Sequence, residues 1–367
     1  MSHAPANRRA TFHSLEVAEV RRLTEESIEV TFAVPDHLRS AYQYLAGQYL
    51  ALRTELEGQP VRRSYSICRP PRDGRISVAI KRDFGGVFST WANDSLSAGD
   101  RIDVMTPQGA FTPNLAELEG RHVVGLAAGS GITPIITIAH QVLSNSTSAR
   151  FDLLFSNRSS LDVMFLEELS DLKDRYPHRF ALHHVLSREQ RTAPIMSGRL
   201  DEEKLRTIFT SLLPIAQVDE WVLCGPFDLV QLCRDLLSEY GVDPRAVRFE
   251  LFSTGEPGDP LTRPRAVTLT RGEPTVTIDF RLDGTSGTVQ SPGSANETVL
   301  NAALRVRPDV PFACAGGVCG TCRARLLEGS VQMRENYALE PDELENGYVL
   351  TCQSRPTSEH ITIDYDA

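Results

Sequence analysis

Apolar and polar positions alternate in short runs from Phe12 to about Thr112, through HSLEVAEV, SIEVTFAV, QYLALRT, RRSYSIC, RISVAIKR and RIDVMTP. Period two over four to eight residues marks a half-buried strand, so six such runs predict a small antiparallel barrel. One helix interrupts it, because VFSTWANDSL follows Gly85 and Gly86 and carries apolar residues at helical spacing. From Arg121 the pattern changes. Apolar runs HVVGLAA, RFDLLFS, RFALHHVLS, EWVLCG and VRFELF are separated by the amphipathic stretches PIITIAHQVL, FLEELSDLKDRY, DEEKLRTIFTSL and FDLVQLCRDLLSEY. Five buried strands and four helices predict a parallel sheet covered on both faces, which is a doubly wound α/β domain.

The segment TGEPGDPLTRPR, residues 254–265, is rich in Gly and Pro without apolar period and reads as a linker. A third domain starts at Ala266, with strands AVTLTR, TVTIDF, RARLLEG and HITIDY, a helix around VLNAALRV and a Gly- and Cys-rich loop. The expected organisation is thus 10–115 for the barrel, 116–253 for the α/β domain and 266–367 for the last domain. At roughly 150 residues per domain, a chain of 367 residues has room for these.

Composition narrows the partners. With 41% hydrophobic and 23% charged residues the chain can bury sizeable cores. Thirty-eight basic against 48 acidic side chains give a net charge of -10, which argues against nucleic acid. Residues 266–367 hold 14 acidic and 8 basic residues, so they supply -6 of that charge, and an acidic small domain suits a basic docking partner. Acidic residues Glu340, Asp342, Glu343 and Glu345 could form such a face near Cys352, although a solvated helix fits the same pattern. No window reaches the roughly 18 to 20 apolar residues of a membrane span, and MSHAPANRRA lacks the apolar core of a secretory signal. The expectation is a cytoplasmic protein without a membrane partner.

Four of the seven cysteines crowd the C-terminal domain. Cys314-Ala-Gly-Gly-Val-Cys319-Gly-Thr-Cys322, with Cys352 thirty residues on, has the C-x4-C-x2-C…C spacing of plant-type [2Fe–2S] sites. Small residues between the thiolates let backbone N–H groups turn toward sulfur. A zinc knot would use the same thiolates, but such knots favour paired C-x2-C knuckles and only one pair is present. Cys68 and Cys233 read as small buried hydrophobes.

Two segments suit dinucleotides. Arg63-Ser64-Tyr65-Ser66 lies on an expected strand and offers a guanidinium for pyrophosphate, a ring to stack on isoalloxazine and a hydroxyl near flavin N5. Gly85-Gly86-Val87-Phe88-Ser89 then enters the interrupting helix and presents free N–H groups to phosphate. In the α/β domain, Gly129-Ser130-Gly131-Ile132-Thr133-Pro134 joins the first strand to the first helix, where glycines admit a phosphate and Pro134 suits the first turn. The second strand ends in Ser156-Asn157-Arg158 rather than an acid, which favours a 2′-phosphate and hence NADPH, with Ser187 and Arg188 adding to that pocket. Each arginine taken singly reads equally well as a solvated loop residue. Cys224-Gly225-Pro226 closes the fourth strand at the ligand-binding edge, and Cys224 either meets the reacting carbon or packs. Phe252, ending the fifth strand, either covers the flavin or belongs to the core.

R-x-Y-S, G-x-G-x-T-P, C-G-P and the four-cysteine loop, in this order, resemble the ferredoxin–NADP reductase superfamily in its branch with a C-terminal plant-type ferredoxin domain. More narrowly, TFHSLEVAEV, YSIC, NRSS and NYALEPDELENGYVLTCQ are similar to the reductase subunits of phenylacetyl-CoA 1,2-epoxidases, with 3-ketosteroid 9α-hydroxylase reductases close by. The resemblance implies an FAD-binding β-barrel, an NADP-binding domain and a β-grasp ferredoxin domain. It places Arg63, Ser64, Tyr65 and Ser66 on FAD, with the backbone around Ile80, Lys81, Gly86, Val87 and Ser89 on its phosphates. It places Gly129, Ser130, Gly131, Thr133 and Pro134, together with Cys224, Gly225 and Pro226, on the nicotinamide nucleotide, Ser66, Cys224 and Phe252 at the reacting atoms, and the four cysteines on the cluster.

The implied path runs from NADPH to FAD, to the cluster, and on to an oxygenase component, expected to be a di-iron epoxidase complex. A hydride carries two electrons, whereas oxygen-activating metals take them singly, so a flavin and a one-electron cluster divide the pair. The chain itself offers no di-iron site, since Glu119-Gly-Arg-His122 is its one E-x-x-H and a second is required. Other acceptors keep the domain order: the hydroxylase of a ketosteroid, or a free diaphorase substrate. A redox-sensing regulator with relic nucleotide domains is the alternative of another class.

Overall fold

A computed structural model describes residues 11–367 except 57, 84, 110, 114–117, 254–273, 283, 308–309, 313–316, 318–319, 337 and 340, and leaves out the side chains of 59–60 and 252–253. Two compact units result: Ser14–Leu50 with Tyr65–Ser253, and Met1–His13 with Ala51–Ser64 and Thr254–Ala367.

In the first unit, β1 (Phe12–Thr24), β2 (Ser27–Ala33), β5 (Arg75–Lys81) and β6 (Arg101–Met105) carry the expected alternation; β3 (Tyr49–Leu56) and β4 (Gln59–Ser66), which carry it too, fall largely in the second unit. β1 pairs antiparallel with β2, and β2 with β5. The ring closes beyond the strand ends. Ile67 bridges Val78 and donates its N–H to the Gln48 carbonyl at 2.9 Å, and Tyr49 bridges Gln108. Leu15, Val17, Val30, Phe32, Leu50, Val78 and Ile80 fill the barrel. Helix α1 (Val87–Ser95) interrupts it, burying Phe88 and Ala92.

The same unit holds five parallel strands, β7 (His122–Ala128), β8 (Arg150–Asn157), β9 (Phe180–Leu186), β10 (Glu220–Pro226) and β11 (Val247–Ser253), ordered β11-β10-β7-β8-β9. Chain order reverses at β7, whose neighbours are β8 and β10, so a crevice for ligand opens at the carboxyl ends of β7 and β10. Helices α2 (Ile132–Asn145), α3 (Leu166–Arg175), α4 (Glu202–Ser211) and α5 (Phe227–Glu239) connect the strands. Each buries an apolar stripe, as Ile135, Ile136, Ile138 and Val142 do on α2.

In the second unit, β12 (Thr275–Leu282), β13 (Thr285–Pro292), β14 (Arg323–Glu328), β16 (Tyr348–Leu350) and β18 (His360–Asp364) form a mixed sheet ordered β13-β12-β18-β14-β16. β12 runs parallel to β18 and the other pairs are antiparallel. A small pair, β15 (Val331–Met333) with β17 (Ser354–Pro356), accompanies it. Helix α6 (Val299–Leu304) packs into a core with Ile278, Phe280, Leu350, Ile361 and Ile363, giving the expected β-grasp, and α7 (Pro341–Glu345) precedes β16. β13 was not expected from the sequence. The expected strand AVTLTR and the linker lie outside the described residues.

Candidate functional site

The flavin motif occupies the end of β4. Ser64 keeps its hydroxyl buried and without a partner among the described residues, which is the state of a donor waiting for a ligand. Arg63 donates to the Arg62 carbonyl at 2.7 Å and stands over the Phe312 ring, 6.0 Å from its centroid. The Tyr65 ring lies 5.7 Å from that of Phe88, tilted by 36°, so α1 backs the aromatic of the motif. Gly86 caps α1 without any side-chain bond, so no capping side chain takes the first N–H groups of the helix. A Cβ there would meet Ser89 Oγ at 2.5 Å. Ser89 is spent inside this loop, accepting from the Asp83 N–H at 3.0 Å, so it shapes the turn by its hydroxyl. Val87 is exposed at the mouth of the helix. Ile80 is buried on β5 and its carbonyl accepts from Asn93 Nδ2 at 3.3 Å. These features fit a dinucleotide, since the uncapped N-terminus of α1 lies beside the Tyr65 aromatic.

The pyridine-nucleotide loop leaves β7 through Gly129, at φ 54°, and enters α2 at Gly131 with no side-chain cap. Thr133 braces it by donating to the Ser130 carbonyl at 3.0 Å, while Pro134 is buried in the first turn. Gly131 lies so close to β10 that a Cβ would stand 2.2 Å from the Cys224 carbonyl oxygen, and a Cβ on Gly225 would meet Ala128 Cβ at 3.0 Å. Backbone-on-backbone approach of this kind is what a phosphate loop requires. Pro226 then caps α5 from an exposed position. The Asn157 amide is buried, and both its side-chain atoms lack partners among the described residues. Lys81 Nζ lies 3.5 Å from where a Gly129 Cβ would be, so this β5 residue reaches the nucleotide loop; burial, then Arg158, lowers its pKa. Ser187 and Arg188 continue the β9 pairing beside Asn157 and Arg158, and Arg158 is itself paired with Asp162.

Between these sites lies a residue that periodicity could not supply. Glu250, on β11, is buried and accepts from Ser66 Oγ at 3.3 Å. It sits opposite Cys224 in the β10–β11 register. Burial, followed by the Glu250 charge, pushes the Cys224 thiol well up, so it stays a neutral thiol packed in the sheet. The sequence signal was an acid inside the apolar run VRFELF. The Phe252 side chain lies outside the described residues. Thr137 Oγ1 donates to the Ile67 carbonyl at 2.9 Å, tying α2 directly to the chain after the flavin motif.

Of the cluster cysteines, Cys322 and Cys352 are buried and form no disulfide; Cys314 and Cys319 lie outside the described residues. The Thr351 hydroxyl donates to the Cys322 carbonyl at 2.9 Å and its N–H does so at 3.2 Å, which holds the two cysteine-bearing segments together. Gly317, at φ 82°, has no space for a Cβ against Gln353 Cγ and the Glu335 carbonyl, both 2.9 Å away. Gly317 therefore packs directly on Gln353 of the β16–β17 turn.

Residues 14–112 match the oxidoreductase FAD-binding domain, 126–235 the oxidoreductase NAD-binding domain and 280–357 the 2Fe-2S iron-sulfur cluster binding domain. The chain is 40% identical to a component of the 1,2-phenylacetyl-CoA epoxidase of Escherichia coli, across 97% of this chain and 98% of that protein. It is 31% identical to the 3-ketosteroid-9-alpha-monooxygenase ferredoxin reductase component of Rhodococcus rhodochrous, across 96% of each. Phthalate dioxygenase reductase shares the fold, with a TM-score of 0.59 at 24% identity over 96% of this chain and 98% of that one. The fold and site define a pyridine-nucleotide-dependent oxidoreductase that uses FAD and a [2Fe–2S] cluster. The chain belongs to the ferredoxin–NADP reductase superfamily, in the branch whose members are reductase components serving oxygenases. No helix among its described residues is long and apolar enough to cross a membrane.

Proposed function

We propose that the chain draws electrons from NADPH and delivers them to a cytoplasmic di-iron epoxidase acting on phenylacetyl-CoA. The observation that supports it is the Ser66–Glu250 hydrogen bond beside buried Cys224, which joins the flavin motif to the edge of the nucleotide sheet. The 40% identity over nearly the full length to an epoxidase component favours that partner over the hydroxylase of a ketosteroid. FAD, when bound, accepts a hydride and gives up electrons singly, and the cluster relays them one at a time.

In this reading residues 10–115 hold FAD, 116–253 the nucleotide and 266–367 the cluster on Cys314, Cys319, Cys322 and Cys352. Arg63, Ser64 and the N–H groups from Gly86 to Ser89 bind FAD phosphates, and Tyr65 stacks on the isoalloxazine. Gly129 to Pro134 and Cys224 to Pro226 admit the nucleotide backbone, with Lys81 beside its phosphates. Ser66, whose hydroxyl donates to Glu250, stands with that hydroxyl near flavin N5, while neutral Cys224 packs against the nicotinamide and Phe252 covers the ring until nicotinamide arrives.

An anaerobic visible spectrum of the purified protein tests the electron path. Flavin and cluster absorption are expected to bleach with stoichiometric NADPH within turnover times. Mixing with the purified oxygenase components of a phenylacetyl-CoA epoxidase is then expected to give NADPH-dependent epoxidation of phenylacetyl-CoA. A protein that bleaches but supports only a ketosteroid hydroxylase overturns the partner, and one whose cofactors no nucleotide reduces overturns the whole reading.

A further inference from the structure

The parallel pairing of β8 with β9 runs on past the strand ends. Ser187 N–H donates to the Asn157 carbonyl at 2.9 Å and Arg188 N–H to the Arg158 carbonyl at 2.7 Å, so the loops 157–162 and 187–191 lie side by side. In the reductase reading they receive the adenosine end of the nucleotide. The cations there are not equally available. Asp162 accepts from Arg158 Nε at 3.1 Å and from a terminal nitrogen of the same guanidinium, and it also accepts from the Ser159 hydroxyl at 2.6 Å. Glu189 accepts from the Ser160 N–H at 2.6 Å and from its hydroxyl at 2.9 Å. Two carboxylates therefore occupy the donors that a phosphate would otherwise take. Arg188 is exposed and its guanidinium has no partner among the described residues.

Both carboxylates are held ionised. Burial would raise the Asp162 pKa, but the bonds from Ser159 and Arg158 outweigh it, and the Ser160 bonds lower that of Glu189. An ionised carboxylate repels the 2′-phosphate of NADPH and accepts a hydrogen bond from the 2′-hydroxyl of NADH. Arg188 has the opposite preference. The sign of discrimination thus depends on how far the carboxylates offset Arg188 and, beside Glu189, the exposed Arg191.

We propose that Asp162, seconded by Glu189, determines nucleotide specificity: it disarms Arg158 and sets a negative charge in the 2′-phosphate subsite, so that NADPH is used with only a small advantage over NADH. The inference rests on the reductase reading above. Adenosine 2′,5′-bisphosphate and 5′-AMP isolate the subsite, because they differ only in the 2′-phosphate. Their affinities are measured by calorimetry on the FAD- and cluster-loaded protein, in the wild type, Asp162→Asn and Glu189→Gln, alongside the NADPH:NADH ratio of kcat/KM.

Asp162→Asn is expected to tighten the bisphosphate about tenfold with 5′-AMP unchanged, and to raise the NADPH:NADH ratio to the same degree. Glu189→Gln is expected to move both in the same direction by about threefold. Bisphosphate affinity that is unchanged in Asp162→Asn overturns the proposal. So does affinity that falls, which would make Asp162 the residue that positions Arg158 for phosphate. If Asp162→Asn does not fold, Glu189→Gln carries the test alone, and an unchanged ratio there overturns the idea. A wild type reduced by neither nucleotide overturns the reductase reading instead.

Discussion

Gly131 lies on the main chain of Cys224: a Cβ at position 131 would stand 2.2 Å from that carbonyl oxygen and 2.6 Å from its carbon. Its φ of -59° suits any residue, so lack of space and not backbone conformation requires glycine. Gly131→Ala must push the β7–α2 loop off the end of β10. The expected result is at least about a tenfold fall in kcat/KM for NADPH and about 1–3 kcal/mol less stability, read by steady-state kinetics and thermal unfolding. Wild-type kinetics from the alanine variant would show that the crevice opens without cost.

Ser66 and Glu250 make a second test. Ser66→Ala removes the 3.3 Å hydrogen bond and leaves a carboxylate buried beside Cys224. Flavin bleaching by NADPH in a stopped-flow experiment is expected to slow by about 10- to 100-fold, while FAD content stays full because Ser64 and the α1 N-terminus are untouched. Loss of FAD with an unchanged rate per bound flavin would assign Ser66 to binding alone.

Much of this fold was legible in the sequence because its strands bury one face or both. β1 to β6 alternate and β7 to β11 are apolar runs, so period and length sufficed. β13 escaped because TSGTVQSP has one aliphatic side chain, and its stability comes from the neighbouring strand. Gly287 is bare there because Phe280 of β12 covers it, a Cβ meeting Phe280 Cζ at 2.5 Å. That reason lies across the sheet and leaves no local pattern. Glu250 escaped likewise, since its partner Ser66 is distant in sequence and only closure of the fold brings them together. The turn at Gly129 to Gly131 was legible, because it depends on local backbone shape. The Asp162 pairing with Arg158 was not, although the two lie four residues apart, because an arginine reads the same in sequence whether free or matched.

The proposed assignment of the cluster to the cysteine loop can be tested apart from flavin reduction. Cys352→Ser removes a buried thiol from a site where Thr351 binds the Cys322 segment. The variant is expected to lose cluster iron and its visible absorption, to keep full reduction of flavin by NADPH, and to reduce a one-electron protein acceptor at least about a hundredfold more slowly. Intact iron content would remove Cys352 from the ligand set, and loss of flavin reduction would show that the cysteine loop supports the nucleotide sites.

An ion cluster couples the barrel to the nucleotide domain within the first unit. Arg69 donates to Glu29 of β2 at 2.5 and 2.7 Å and to Glu168 of α3 at 2.6 Å, and Arg21 of β1 donates to Glu29 at 2.8 Å. Burial pulls the Glu29 pKa up, but Arg69 and Arg21 outweigh it and hold it below the ordinary 4.5. A carboxyl group depressed on folding adds stability above its unfolded pKa and loses it as pH falls through the folded value. Wild-type unfolding temperature should therefore drop as the medium is acidified below the ordinary carboxylate range. Glu29→Gln should unfold at lower temperature near neutrality, by the equivalent of about 1–3 kcal/mol, because Arg69 and the partly exposed Arg21 are left to Glu168. The gap between variant and wild type should then narrow toward acid, since both now lack the charge at position 29. Unfolding curves that stay parallel from neutral to acid would mean that Glu29 contributes by packing, and that its charge does not hold the two domains together.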